Sequence, residues 1–445
     1  MSKFEDLLSQ IPGIDDLIAS GVVRVDTPLT MEDLEFLPDL DTLDAPALEE
    51  LLDRLEGLRD DLEDDEPDED SEAHSEWEES LDEVSDFIEE VQSRLDEGKH
   101  DDRGQQRMSA TKRILVIFTG GTIGMVATAH GYAPQGRAFH NLLNQIPELH
   151  AEGMPNWDII DMDPLLDSSN ITVLEWNKIG QVIADHYASY DGFVVLHGTD
   201  TMAYTASALS FMLRSNAKPV ILTGSQIPLC EVRNDARDNI ITSLMIAASG
   251  QVHEVCLYFG GRLLRGNRAI KYSADDLIAF ESPNYPALAE VGIAIRYNHS
   301  ALLPPSQGNF SLQILTNVPI GVIKVFPGIQ FELFDSIMTE RLKGIVIETF
   351  GAGNIPGHAD SLLPIIRKAS DNGTVIIVCS QCPHGTVSLG TYETSSALKE
   401  AGAVSGYDIT TEAAVAKLYY LFSRGLNRDE ICVRMERSMR GEITK

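Results

Sequence analysis

At 445 residues, the chain is long enough for two or three domains, each with its own core. Its apolar share of 43% is that of a globular protein, but its formal net charge of −35 is unusual. Residues 1–107 contain 37 Asp and Glu against 8 Lys and Arg, so most of the acidity belongs to this segment. The remainder carries a net charge of only −6, which favours a small-molecule enzyme over a nucleic-acid-binding protein, because phosphate contact requires Lys and Arg patches.

The acidic segment, residues 1–110, contains two helical patterns. Residues 1–40 mix apolar pairs with acids, prolines and glycines, which predicts short helices or partial disorder. One apolar stripe with helical spacing then comprises Leu48, Leu51, Leu52, Leu55, Leu58 and Leu62. After a run of acids, a second stripe has heptad spacing and comprises Trp77, Leu81, Val84, Ile88, Val91 and Leu95. The pattern predicts an antiparallel helical hairpin of unknown partner, followed by a linker; the alternative is a solvated acidic spacer.

Cysteine usage and apolar runs bear on the compartment. The five cysteines are an odd and sparse set, which favours a reducing compartment without structural disulfides. Cys379 and Cys382 form a CxxC pattern without a partner pair, and we interpret them as buried thiols rather than a redox or zinc site. The first residues lack the apolar centre of a signal peptide, and no apolar run approaches the ~20 residues that span a membrane. We therefore expect a cytoplasmic protein without membrane contact.

From Thr111 onward, short apolar strands alternate with helical segments, which predicts parallel sheets with right-handed crossovers. The expected class is α/β, with two flavodoxin-like or Rossmann-like domains at residues 111–298 and 317–445. Residues 297–316 lack the alternation and are interpreted as a connection between the domains. The predicted strands are 114–118, 159–160, 192–196, 219–222, 255–259, 321–326, 344–348 and 375–380. The predicted helices are 141–146, 176–186, 203–213, 235–248, 362–370 and 411–421.

Two short motifs follow strands directly, namely Thr119–Gly124 and His197–Met202. The carboxyl edge of a parallel sheet is where such folds bind ligands, so both motifs are candidates for a site. The first lacks the third glycine of a dinucleotide fingerprint and the Gly-Lys-Ser/Thr of a phosphate loop, which leaves a nucleotide turn as the weaker interpretation. Thr199 and Asp200 in the second motif also fit a simple helix N-cap.

Taken together, the motifs fit nucleophilic catalysis on a carbonyl group. A threonine hydroxyl is unreactive at its free pKa and needs a neighbouring base. Asp200 is able to accept or hold a proton, and Lys271 qualifies as a base if another cation or partial burial lowers its pKa. The alternative for Lys271 is an ordinary surface lysine.

Five motifs in register resemble those of the bacterial-type L-asparaginases, from about Thr111 to the C-terminus. They are Thr119–Gly124, Asp167–Ser169, His197–Met202, Thr223–Pro228 and Arg265–Lys271. The Thr223–Pro228 motif and the uninterrupted stretch from Ala203 to Leu213 resemble the cytoplasmic type I branch in particular. The resemblance implies hydrolysis of L-asparagine through an acyl-enzyme, with no cofactor and no metal.

The resemblance also assigns roles to individual residues. Thr122 is the expected nucleophile, and Tyr132, in the loop Met125–Pro134, is the lid tyrosine expected to activate it. Thr199, Asp200 and Lys271 form a second triad for proton transfer and for positioning of water. The substrate-binding residues are expected to be Asp167, Ser168, Ser169 and Asn354.

Asn354 resembles a residue that reaches a neighbouring subunit's site, which implies a homodimer or a homotetramer. Some type I enzymes have a regulatory asparagine site built from a threonine, an arginine and a cysteine. The cysteine is present as Cys382, but Ile270 and Glu348 occupy the other two positions. An acid in place of the cation removes the partner of an effector carboxylate, so we expect no activation by free asparagine.

Two other functions stay open. The chain fits the ammonia-generating subunit of a tRNA-dependent amidotransferase, although the acidic, helical extension is an unsuitable surface for tRNA. It also fits a non-catalytic scaffold with a decayed site, although the complete set of five catalytic residues argues against decay.

Overall fold

The computed structural model describes residues 112–128, 131–356, 362–390 and 393–444, and before them only scattered helical positions between residues 48 and 92. The chain forms two compact units, Met1–Ala110 and Thr111–Lys445. Residues 1–40 lie outside the described residues.

In the first unit, the described residues of both apolar stripes are helical. Their buried side chains form one cluster that comprises Leu48, Leu51, Leu55, Leu58, Val84, Ile88 and Val91. The Trp77 indole Nε1 donates to the Leu62 carbonyl over 2.7 Å, at the end of the stripes nearest the acidic run. The described residues of the two stripes therefore pack on each other, while Leu95 and the linker lie outside the described residues and the antiparallel hairpin stays a prediction.

The second unit contains strands and helices in alternation. Its strands are β1 Arg113–Gly120, β2 Met125–Thr128, β3 Gly131–Pro134, β4 Asn156–Leu166, β5 Gly192–Leu196, β6 Leu213–Arg214, β7 Val220–Thr223, β8 Val255–Phe259, β9 Arg262–Arg265, β10 Ile270–Lys271, β11 Phe280–Glu281, β12 Ala289–Val291, β13 Ile295–Tyr297, β14 Ser311–Leu312, β15 Ile320–Lys324, β16 Gly344–Thr349, β17 Val375–Ser380 and β18 Ala403–Ser405. Its helices are α1 Gly136–Leu143, α2 Val173–His186, α3 Met202–Met212, α4 Ala236–Ala248, α5 Leu362–Asp371, α6 Glu393–Glu400, α7 Thr411–Ser423 and α8 Arg428–Met435.

The large sheet has eight strands in the order β13-β12-β9-β8-β7-β5-β1-β4. Strands β4, β1, β5, β7 and β8 are parallel, and β1, β5 and β7 are buried almost throughout, as expected of strands covered on both faces. The remaining strands are antiparallel, so the expectation of a wholly parallel sheet is wrong at this edge. Gly260 and Gly261, with φ of 56° and 82°, form a turn that returns the chain as a hairpin instead of a helical crossover.

A second sheet, in the order β15-β16-β17-β18, is parallel throughout. One core cluster joins the two sheets, because α3 and α7 pack between them and contribute to the same set of buried residues. Helix α3 is buried over ten of its eleven residues, which explains why its sequence contains no charged residue. The helix expected at residues 141–146 is displaced, since α1 begins at Gly136 and ends at Leu143.

Candidate functional site

The candidate site lies at the carboxyl edge of the large sheet. Strands β4, β1, β5 and β7 are neighbours, and their registers align Gly120 with Leu166, Phe118 with Leu196, and Leu196 with Thr223. The segments that follow these strands therefore all begin along the same edge of the sheet. These segments carry four of the five motifs that the sequence analysis identified.

Thr122 lies on a tight turn directly after β1. Gly120 and Gly121 have φ of 113° and 79°, which residues with a Cβ rarely adopt, and the Gly121 N–H donates to the Leu166 carbonyl over 3.1 Å. The chain then enters a single 3-10 turn, Thr122–Gly124, in which Thr122 is the first residue. The half-buried Thr122 side chain is thus held on a short segment fixed to β4.

Close backbone packing joins the Thr122 turn to the turn that carries Thr199. A Cβ at Gly121 would lie 2.4 Å from the backbone of Gly198, and a Cβ at Gly198 would lie 2.6 Å from the Ser168 Oγ. Contacts this short require glycine at both positions. The Thr122 turn therefore meets the Thr199 turn through the backbone, and the Thr199 turn packs against the Ser168 side chain, so the three turns lie together.

Lys271 completes a hydrogen-bonded group with the Thr199 turn. Its Nζ donates to the Thr199 Oγ1 over 2.9 Å and to the Asp200 Oδ1 over 2.7 Å. The exposed fraction is 6% for Thr199, 20% for the Lys271 side chain and 63% for the Asp200 side chain. The ammonium thus lies between a buried hydroxyl and a carboxylate open to solvent, so the lysine is not the surface residue of the alternative interpretation.

Asp167 and the two serines form the turn after β4. The Asp167 Oδ1 accepts from the Ser169 N–H over 3.0 Å and caps the short 3-10 turn Ser168–Asn170. Ser168 is buried, and its carbonyl accepts from the Thr201 Oγ1 over 2.8 Å. The turn thereby attaches to the Thr199 turn, and Asp167 and Ser169 stay exposed at its rim.

Tyr132 lies on an exposed β-hairpin of β2 and β3, not on a loop as expected from the sequence. Its hydroxyl donates to the Glu231 carboxylate, which raises the pKa of the Tyr132 phenol. Two further bonds attach the same region to the base of the hairpin, since Leu229 N–H donates to the Ile123 carbonyl and Cys230 Sγ to the Met125 carbonyl. Residues 229–231, directly after Pro228, therefore attach to the β2–β3 hairpin and to the turn before it.

Asn354 belongs to a different part of the molecule. It follows β16 of the second sheet, and its backbone forms an isolated bridge with Phe350. Thus the described structure of one chain gathers Thr122, Ser168, Thr199 and their neighbours on the large sheet, and places Asn354 on the other sheet.

His197 was not given a role from the sequence, and it is fully buried. Its Nδ1–H donates to the Gly198 carbonyl over 2.7 Å, and its Nε2 accepts from the Thr205 Oγ1 over 2.9 Å. The Thr205 hydroxyl in turn accepts from the Trp176 Nε1 over 3.0 Å. Burial lowers the pKa of His197 to about 4, so the neutral imidazole connects α2 and α3 to the Thr199 turn.

Two residues at the site were missed by the sequence analysis, Gln226 and Glu231. Gln226 accepts from the Thr199 Oγ1 over 3.2 Å. Its position in the Thr223–Pro228 motif was the available signal, although the motif carried no role. Glu231 follows that motif in a charged surface segment, where no periodicity or spacing distinguishes it.

The cysteines differ in their surroundings. All five are free thiols. Cys379 is buried, which raises the pKa of its thiol, but Cys382 is exposed, so the expectation of two buried thiols is wrong for Cys382. The chain turns outward directly after β17, which ends at Ser380.

Two kinds of feature are absent from the part of the chain that the structure describes. No group of three or more His, Cys, Asp or Glu there is placed to hold a metal ion. No helix among the same residues is long and apolar enough to cross a membrane.

Glu348 occupies the position where some type I enzymes have the arginine of a regulatory asparagine site, and its carboxylate is bound to other side chains of this chain. Its Oε1 accepts from the Thr411 Oγ1 over 2.7 Å, and its Oε2 lies 3.9 Å from the Lys324 Nζ. The absence of activation by asparagine stays a prediction.

Comparison with known families agrees with this geometry. The family model "Asparaginase, N-terminal" matches residues 113–303, and "Glutaminase/Asparaginase C-terminal domain" matches residues 319–435. The chain belongs to the asparaginase family. This asparaginase-family chain is an enzyme of the amidohydrolase class, and the resemblance stated from its motifs is confirmed.

Individual relatives support the same family. L-asparaginase 1 of Escherichia coli (strain K12) is 44% identical over 333 residues, which cover 75% of this chain and 98% of that protein. The crystal structure of L-asparaginase I from Vibrio cholerae has a TM-score of 0.71 and 43% identity, and the match covers 76% of this chain and 100% of that one. A subunit of the glutamyl-tRNA(Gln) amidotransferase of Pyrococcus abyssi is 31% identical, over 74% of this chain and 76% of that protein.

Proposed function

We propose that the protein hydrolyses L-asparagine to L-aspartate and ammonia through an acyl-enzyme on Thr122. One observation carries this proposal: the Gly121–Gly198 backbone packing brings a threonine on a fixed turn beside a second threonine that is hydrogen-bonded to a lysine–carboxylate pair. The similarity to L-asparaginase 1 of E. coli over almost all of that protein supports asparagine as the substrate.

Acylation requires a nucleophile and a route for its proton. The Thr122 Oγ attacks the carbon of the side-chain amide, and the C–N bond then breaks, so that NH₂ leaves with a proton as ammonia. We assign Tyr132 to the removal of the Thr122 proton. Because the phenol donates to Glu231 and its pKa is raised, Tyr132 accepts a proton only as it passes its own to that carboxylate.

Deacylation reverses the order of these bonds. Water adds to the ester carbonyl, the bond between carbon and the Thr122 Oγ breaks, and the hydroxyl is restored as the side-chain carboxylate leaves. We assign Thr199 to the positioning of this water, and Asp200 and Lys271 to proton transfer. In the described geometry the Lys271 Nζ donates in both contacts, so it must give up a proton before it accepts one.

Substrate binding is assigned to the turn after β4. The exposed Ser169 hydroxyl and the Ser168 backbone are suited to the α-carboxylate of an amino acid, and the Asp167 and Asp200 carboxylates to its ammonium. The Tyr132 hairpin is suited to cover the bound substrate and to exclude water. Asn354 is proposed to act in the site of a neighbouring copy in a homodimer or homotetramer, which fits its place on the second sheet.

The amidotransferase alternative has weaker support. Its relative from P. abyssi is less similar than the L-asparaginase, and the described residues of the acidic extension are helical, whereas a β-rich N-terminal domain is expected of such an amidotransferase component. A decayed scaffold is disfavoured because Thr199, Asp200 and Lys271 are bonded to one another.

Release of ammonia from L-asparagine by the purified chain tests the proposal, beside Thr122→Ala, Thr122→Ser and the surface control Thr316→Val. We expect Thr122→Ala to lose at least about 10³-fold in kcat, because no nucleophile remains. Thr122→Ser keeps a hydroxyl and retains measurable turnover, and Thr316→Val matches the wild type.

Rapid quenching of the reaction, followed by peptide mass analysis, tests the covalent step. Acylation found at Thr122 would support it. Ammonia release by Thr122→Ala at the wild-type rate contradicts the nucleophile. A folded wild type that releases no ammonia from asparagine or glutamine contradicts the hydrolase and favours the amidotransferase.

A further inference from the structure

The Gln226 side chain has both of its amide hydrogens bound to backbone carbonyls. Its Nε2 donates to the Ala274 carbonyl over 3.0 Å and to the Asp276 carbonyl over 3.1 Å. Carbonyl oxygens accept only, so the NH₂ group must face them, and the amide orientation is fixed by the network. The Oε1 atom is consequently the one that faces Thr199, at 3.2 Å from its Oγ1.

The two neighbours of the Thr199 hydroxyl determine where its proton lies. A hydroxyl has one proton and two acceptor lone pairs. The Lys271 Nζ donates to the Oγ1 over 2.9 Å and occupies one lone pair. The Gln226 Oε1 accepts only, so the Thr199 proton points to Gln226. One lone pair is then left to accept from a third group.

We propose that Gln226 is a positioning residue that fixes the Thr199 hydroxyl as an acceptor, both from Lys271 and from the attacking water. This rests on the proposed function, in which Thr199 positions that water. With its proton held by Gln226, Thr199 presents a lone pair to a water O–H and turns the water oxygen toward the ester. A hydroxyl free to rotate would also donate to the water oxygen and block its attack.

The surroundings of Gln226 hold it in this orientation. The Gln226 N–H and the Ile227 N–H donate to the two oxygens of Asp235 over 2.9 and 3.0 Å. The Asn239 Nδ2 donates to the Gly224 carbonyl over 2.9 Å. The turn after β7 is thus attached to α4, and the side chain starts from a fixed backbone.

The carbonyls that orient Gln226 belong to the segment directly after Lys271. The Ser273 Oγ accepts from the Asp276 N–H over 3.0 Å and closes this segment into a compact turn. Gln226 therefore joins Thr199 to the segment that begins at Lys271, in addition to the direct Lys271–Thr199 bond. An ordered turn alone is a structural role, so the test must separate it from control of the hydroxyl.

Steady-state kinetics of three variants make this separation. Gln226→Met keeps the length of the side chain but removes both the acceptor for Thr199 and the donors to the carbonyls. Gln226→Glu keeps an acceptor for Thr199 but no hydrogen for the carbonyls. Tyr272→Phe changes an exposed side chain of the segment after Lys271 and leaves the hydrogen bonds of Gln226 in place.

We expect Gln226→Met to lose about 10- to 100-fold in kcat with KM within about threefold, because the loss affects the reacting water rather than substrate binding. Gln226→Glu should recover part of the loss, because it keeps the acceptor for Thr199, and Tyr272→Phe should match the wild type in kcat. A Gln226→Met enzyme with wild-type kcat, or a Gln226→Glu enzyme with the same loss as Gln226→Met, would overturn the proposal.

Neutron diffraction from deuterium-exchanged crystals of the wild type tests the orientation without any activity. Deuterium on the line from the Thr199 Oγ1 to the Gln226 Oε1 supports the proposal, and deuterium directed elsewhere overturns it. An inactive wild type would contradict the proposed function alone, because the diffraction result stands independently.

Discussion

The buried imidazole of His197 makes the stability of the protein depend on pH. In the unfolded chain a histidine binds a proton near pH 6.5, whereas burial lowers the pKa of His197 in the folded protein to about 4. Between these values the unfolded state binds more protons, so the contribution of His197 to the free energy of unfolding is lost as the pH falls from 6.5 to 4. The full shift corresponds to about 3 kcal/mol.

Urea unfolding of His197→Gln between pH 4 and 7 measures this contribution. We expect the difference in the free energy of unfolding between the wild type and the variant to change by up to about 3 kcal/mol across that range. His384→Gln, at an exposed position, serves as the control and should leave the pH dependence unchanged. Parallel curves for the wild type and His197→Gln would contradict a neutral, buried His197.

Tyr132 is proposed to remove the Thr122 proton and, as part of the hairpin, to cover the substrate. Loss of its hydroxyl alone separates the first role from the second. Tyr132→Phe removes the hydroxyl that bonds to Glu231 but leaves the ring on the hairpin. We expect kcat to fall by about 10²- to 10³-fold, the usual contribution of general acid–base catalysis, with a smaller change in KM. Ammonia release at saturating asparagine measures the effect.

Two further variants, a control and a test of the proton acceptor, accompany Tyr132→Phe. Tyr272→Phe changes an exposed tyrosine beside the site and should retain wild-type kcat. Glu231→Gln keeps an acceptor for the phenol but no carboxylate to receive its proton, so it should resemble Tyr132→Phe. Full activity in Glu231→Gln would show that Tyr132 does not pass a proton to Glu231.

At the scale of elements, the beginning of α7 contains a carboxyl group in an unfavourable place. Glu412 lies in the first turn, where the helix dipole and nearby N–H groups favour a carboxylate. Burial and the neighbouring Glu348 oppose them, and burial is the largest effect, so the pKa of Glu412 is raised to about 7. The folded state then binds more protons than the unfolded state above pH 4.5, and stability is lost as the pH rises from 4.5 to 7.

Glu412→Gln removes this dependence and should stabilise the protein at pH 7 by up to about 3 kcal/mol. The effect has the opposite sign to that of His197 and nearly the same pH range, so the two contributions should nearly cancel between pH 4.5 and 6.5. Each single variant exposes the contribution of the other group, and the double variant should have the same pH dependence as the wild type. A Glu412→Gln profile parallel to that of the wild type would contradict a raised pKa of Glu412.

Elements were predictable from the sequence where one physical pattern dominates. Strands β5, β8 and β17 begin and end at the predicted residues, because short, continuous apolar runs bounded by turn residues are typical of buried strands. The Gly260–Gly261 hairpin was missed, since a short turn and a helical crossover follow a buried strand equally well. The lid hairpin was missed because only four residues form each strand, and their sequence has no alternation.

The site was predictable only in part, for a related reason. Hydroxyls and carboxylates next to the ends of strands are visible in the sequence, and the shared edge of the sheet brings Thr122 and Thr199 together. The partners that orient them are set by tertiary contact: Gln226 reaches Thr199 across 27 residues, and Glu231 reaches Tyr132 across 99. No local spacing encodes such a contact.

At the scale of the whole molecule, most of the charge lies outside the enzymatic body. Residues 1–107 hold 37 of the 69 acidic residues, and the described helical residues of this extension have an apolar cluster of their own. The family models begin at residue 113, and 98% of the E. coli relative is matched by three quarters of this chain. The body therefore matches nearly the whole length of this relative.

We predict that deletion of residues 1–110 leaves kcat and KM for asparagine within about twofold of the full chain, because Thr122, Thr199, Lys271 and their partners all lie in the body. Colloidal stability should change instead. The body alone has a net charge near −6, so it should precipitate at mildly acidic pH sooner than the full chain with its charge of −35. Turnover by both forms and their solubility between pH 5 and 7 provide the comparison, and replacing residues 1–110 with an uncharged linker of equal length provides the control. If the truncated body stays folded but loses turnover, the extension takes part in catalysis or in assembly of the active oligomer, and its separate apolar cluster does not make it an independent appendage.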